Sequence, residues 1–111
     1  MSSDPPVLPT DFDPSLLPDR WSIVRASDAS RELEDELGRE LSEAHRLSDV
    51  VAQAVAVKRM LKDVIFYLPV EKSWAVVHLT GRPESSPRWP STTVVTTWAA
   101  VIEELGDSGP M

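Results

Sequence analysis

No cysteine occurs in the chain. That absence removes disulfides, thiolate zinc sites, iron-sulfur clusters and thiol catalysis together, and leaves packing to hold the fold. Histidine is nearly as scarce: His45 and His78 are the two present, and neither stands in an H-x-x-x-H spacing. No D-x-D-x-D-G pattern gathers carboxylates either, so no metal site is expected. The four glycines are dispersed, and neither a P-loop nor a G-x-S-x-G elbow is present. No cofactor is expected, because nothing in the chain has the backbone freedom to cradle a phosphate or pyrophosphate. Long apolar runs are missing too, with none near the roughly 18 residues of a membrane span. The opening MSSDPPVLPTDFDPSLLP has neither a basic n-region nor an apolar h-region. The expected setting is cytoplasmic, with no membrane partner.

Positive charge is in short supply as well, at 11 Lys and Arg against 18 Asp and Glu, a formal net charge of -7. Such a surface repels phosphate backbones, so direct nucleic-acid binding is not expected, and it suits the steering of a basic protein into contact. At 111 residues with 41% hydrophobic content, the chain has the size and apolarity of one globular domain.

Five of the ten prolines (Pro5, Pro6, Pro9, Pro14, Pro18) fall within residues 1–20, which read as a proline-rich N-terminal arm. The single domain is expected over 21–106, with a frayed tail at 107–111. From Asp28 to about Arg46, Ala29, Leu33, Leu37, Leu41 and Ala44 recur at helical spacing, predicting a helix capped by Ser27 or Asp28. Its seven acids against three arginines are expected on solvent-facing positions, with Asp35–Arg39 and Arg39–Glu43 as i,i+4 pairs. Residues 49–62 fit either a helical stripe (Val50, Ala54, Val57, Leu61) or a valine-rich strand. DVIFYLP and WAVVHLT, bridged by VEKS, predict an antiparallel hairpin in which Ala75, Val77 and Leu79 share one face and Trp74, Val76, His78 and Thr80 the other. A loop at 81–92, a strand within TTVVTT and a closing helix from Trp98 to Leu105, ended by Gly106, complete the chain.

WAVVHLT, followed by Gly81-Arg82-x-Glu84 and then Trp89-Pro90, resembles a set of small uncharacterised bacterial proteins that carry A-V-V-H-L-T, a G-[KR]-x-E turn and a W-P loop before a final helix. The likeness spans roughly residues 30–105. It implies a strand over 54–60 and brings no activity with it. The chain departs from the pattern after Thr80, where Trp-Ser is missing, and at Met60–Lys62, where an acidic turn is usual. The expected fold class is therefore α+β: one small domain with an N-terminal helix, a three- or four-stranded antiparallel sheet and a short C-terminal helix.

Two functional expectations follow. The first is a non-catalytic protein-binding module, immunity-like or antitoxin-like or a regulator, meeting a basic partner through Glu36, Glu40 and Glu43 of the helix and Arg88 and Trp89 of the loop. The second is a small enzyme or ligand-binding domain with a pocket of His78, Thr80, Arg82 and Glu84, in which Glu84 would orient the imidazole. No catalytic residue is assigned. A third role is that of a structural subunit in a larger assembly. His45 is expected to cap the helix C-terminus. Lys58, Arg59 and Lys62 beside Asp63 read as a salt-bridged strand surface.

Overall fold

Strand-forming runs separated by short turns build a meander when each strand can pair with the one before it. The computed structural model describes residues 8–25, 27–45, 47–58, 63–80 and 90–106. It contains β1 (Trp21–Ile23), α1 (Asp28–Glu40), β2 (Gln53–Lys58), β3 (Asp63–Leu68), β4 (Ser73–His78), β5 (Ser91–Val95) and α2 (Trp98–Gly106). All neighbouring strands pair antiparallel in the order β1-β2-β3-β4-β5. The sheet thus has five strands, not the three or four expected. The addition is β1, whose three residues follow Arg20, held at φ 80°, and are too few to show alternation.

In the described part of residues 49–62 the strand prevails, as Gln53–Lys58, while 59–62 lie outside the described residues. A bulge between Ala54 and Ala56 inserts one residue against β3. Val55 and Ala56 therefore both turn to one face of the sheet, while Ala54 and Val57 share the other.

Each face buries a separate core. On the first, Leu37 of α1 packs with Val24, Leu47, Ala54, Val57, Val64, Phe66, Ala75 and Val77. On the second, Trp98 and Val101 of α2 join Leu8, Val55, Ile65, Tyr67 and Trp74. A sheet covered on both sides reads as a near-continuous apolar run, which accounts for the uninterrupted burial of Val64 to Leu68.

Ser27 caps α1 by accepting the Ser30 amide at 3.3 Å. The helix stops at Glu40, earlier than the expected Arg46, because Leu41 adopts an extended conformation (φ -77°, ψ 131°) and packs on the first core. Of the two expected i,i+4 ion pairs on α1, neither is formed, and Glu43 lies beyond the helix.

The described part of the N-terminal stretch lies on the second face. Phe12 stacks on Trp74 (centroids 5.9 Å apart) and meets Trp98 edge-on at 4.8 Å. Asp11 accepts the Trp98 amide at 2.8 Å, and the Asp13 carbonyl accepts Trp98 Nε1–H at 2.8 Å. Trp74, fully buried, has no hydrogen-bond partner for its own Nε1–H among the described residues.

Candidate functional site

The pairing registers align one residue from every strand into a single row at one end of the sheet. Trp21 stands opposite Lys58, Lys58 opposite Asp63, Asp63 opposite His78 and His78 opposite Ser91. Cross-strand partners share a face, and the row lies on the α2 side, where Val76 and Thr93 form part of the next row inward. α2 covers the apolar rows and its last turn brings Glu104 and Leu105 to the rim, leaving a cleft of about 210 Å³.

Within the row, His78 Nδ1 lies 2.5 Å from Asp63 Oδ1, with side-chain exposures of 51% and 27%. An ionised carboxylate only accepts, so Nδ1 carries the proton and Nε2 is the nitrogen left to the cleft. Asp63 orients this imidazole, and Glu84, expected in that role, lies outside the described residues. Among the described residues Lys58 makes no ion pair and Asp63 is paired with His78; Arg59 and Lys62, the other members of the expected salt-bridged strand surface, lie outside the described residues. Ser91 is His78's partner on β5.

Thr80, predicted to share this pocket, is elsewhere. β4 ends at His78, Leu79 still joins Ala75 and Val77 in the first core as expected, and Thr80 donates its backbone N–H (2.8 Å) and its hydroxyl (3.0 Å) to Glu40 Oε1. Glu40 in turn is 1% exposed. A residue expected on a solvent-facing interface is thus a buried acceptor that fastens the end of α1 to the chain leaving β4. Of the other predicted positions, Glu36 is half-buried and Glu43 exposed. Arg82, Glu84, Arg88 and Trp89 lie outside the described residues.

A second, larger cleft of about 410 Å³ opens where α1 ends, lined by Gly38, Leu41, Ser42, Glu43, Ser48 and Asp49. Glu43 and Asp49 are exposed there, and neither forms an ion pair with a described residue. The Ser42 hydroxyl is buried without a hydrogen-bond partner among the described residues, and a Cβ at Gly38 would meet no described atom within 4 Å.

His45 does not cap α1. It is 4% exposed, beyond the helix end, where Nδ1 accepts the Leu47 amide and Nε2 lies against the Pro90 carbonyl, both at 3.0 Å. These partners fix the neutral Nε2–H tautomer, the reverse of that in His78. Glu34 is a further perturbed group. Burial pushes its carboxyl above the usual glutamate value and Asp35 adds to that, against the lowering effects of the Ala54 amide and Arg31.

The sequence singles out His78 but not Ser91, Thr93 or Glu104, and it groups Lys58 and Asp63 in a different cluster, without His78. Among the described residues no group of three His, Asp or Glu is placed to hold a metal ion, and no helix is long and apolar enough to cross a membrane. Compared with known protein families, curated proteins and solved structures, the chain matches none.

Proposed function

We propose that the protein is a non-catalytic binding module for a basic protein partner, in the manner of an immunity protein, an antitoxin or a regulator, and that the cleft at the end of α1 receives a cationic side chain of that partner. The observation that carries this reading is a pair of exposed carboxylates, Glu43 and Asp49, flanking a cleft of about 410 Å³ with no cation of the described chain to neutralise them. An arginine or lysine entering between them would gain charge-assisted hydrogen bonds, with the Ser42 and Ser48 side chains alongside. Glu32 and Asp35 on the outer face of α1 extend the negative field that steers such a partner.

The test is affinity capture from the native host with the wild-type chain and with a Glu43→Lys, Asp49→Lys double variant whose fold is checked by circular dichroism. A basic protein retained in stoichiometric amount by the wild type, released by salt and lost with the variant, supports the reading. Equal capture by both chains, or none by either, overturns it.

A further inference from the structure

The cleft over the polar row holds two opposite charges that do not pair. Lys58 and Glu104 both line it, yet neither forms an ion pair with the other or with any described residue. Asp63, the carboxylate across from Lys58 in the sheet, is taken by His78. An ammonium and a carboxylate facing one small space without touching leave room for a ligand that carries both charges itself.

From this arrangement we infer that the cleft binds a small zwitterion bearing one ammonium and one carboxylate group, an α-amino acid in chemical class. The volume of about 210 Å³ lies below the roughly 300 Å³ at which drug-sized pockets begin, so only a small ligand fits. The polarity is set by the strands. Lys58 is on β2 and offers its ammonium to the ligand carboxylate. Two strand spacings away, about 10 Å, His78 presents Nε2, which with the ring neutral and its proton on Nδ1 toward Asp63 accepts a hydrogen bond from the ligand ammonium.

The same side of the cleft carries Glu104, because α2 packs chiefly on β4 and β5. Glu104 belongs to the last turn of α2, where the negative end of the helix dipole also favours a cation. The hydroxyls of Ser91 and Thr93, on β5 beyond His78, add neutral donors and acceptors on that side. Trp21, Val76 and Leu105 supply an apolar wall for the ligand's carbon skeleton. This site is formed by the second face of the sheet and shares no residue with the cleft at the end of α1.

The inference is tested by amide NMR titration of the intact chain with glycine, alanine, serine and leucine, with propionate and ethylammonium as single-charge controls. The expected result is saturable shifts at Lys58, Asp63, His78, Ser91, Thr93 and Glu104 with at least one amino acid and with neither control. Lys58→Met and Glu104→Gln should each weaken binding by about ten-fold while the rest of the amide spectrum keeps its dispersion. The Glu43→Lys, Asp49→Lys variant should bind the amino acid as the wild type does, which separates this site from the protein-binding reading. No shift with any amino acid up to about 10 mM, equal shifts with the single-charge controls, or shifts that survive both substitutions would each overturn it.

Discussion

The Glu34 carboxylate accepts the Ala54 backbone N–H at 2.8 Å, and it does so where β2 has outrun β1. Just past β1 the Val24 amide bonds to the Val55 carbonyl, and at the neighbouring residue of β2 it is α1 that supplies an acceptor, by side chain.

Glu34 therefore gives a prediction with a definite sign. Burial, the largest cause, raises its carboxyl above 4.5, so the neutral form is favoured in the folded state. The stability contributed by this group is fully present below the unfolded value and is lost as pH rises through the raised one. Glu34→Gln keeps an acceptor for Ala54 and removes the cost of ionisation. Urea unfolding should show the variant at least as stable as the wild type at neutral pH, the difference closing in acid. Glu34→Ala leaves the amide without its acceptor and should lose about 1 kcal/mol at either pH.

His45 joins the turn after α1 to Pro90, 45 residues on. Nitrogen NMR should find its proton on Nε2 and that of His78 on Nδ1. His45→Ala orphans the Leu47 amide and the Pro90 carbonyl in a buried site and should cost about 3 kcal/mol by denaturant unfolding. Identical tautomers in the two rings would contradict the geometry.

Gly38 is an α1 residue with no steric reason to be glycine, since open space surrounds the position of a Cβ. Gly38→Ala should stabilise the fold by about 1 kcal/mol. A methyl group there also intrudes on the cleft, so the same variant should bind the proposed partner less tightly. Gaining stability while losing affinity is the expected signature, read by thermal melting alongside the capture experiment.

Phe12 bridges the two buried tryptophans Trp74 and Trp98. Phe12→Ala should cost about 3 kcal/mol and shift tryptophan emission to the red as water reaches the rings. Asp11→Ala, which removes one acceptor at the start of α2, should cost about 1 kcal/mol with emission little changed.

Secondary structure was legible wherever a periodicity ran undisturbed, as in Asp63–Leu68 and Trp98–Gly106. It misled where a local device altered the period. The bulge in β2 places Ala54 and Val57, three residues apart, on one face, which imitates a helical stripe. The candidate site was hidden by a turn. With VEKS (70–73) as the bridge, His78 would fall opposite Ile65. The turn is in fact Pro69–Lys72, with Lys72 at φ 53°, and Leu68 pairs with Ser73. That one-residue change in the turn moves the partner of His78 by two, to Asp63. Glu40 was misplaced for a different reason: its acceptor role depends on Thr80, 40 residues away, and no helical pattern announces a contact at that distance.

The clasp between Asp11 and Trp98 spans 87 positions, and it dictates an order of events during synthesis. β1 to β4 and α1 can assemble on the ribosome as they emerge, since each strand meets its predecessor. The second face cannot close until α2 has left the exit tunnel, and only then do Leu8, Asp11 and Phe12 find the whole of the surface they cover. Until that moment Trp74 and Tyr67 lack the cover of α2, so the nascent chain is exposed to aggregation and proteolysis for as long as α2 is still to emerge.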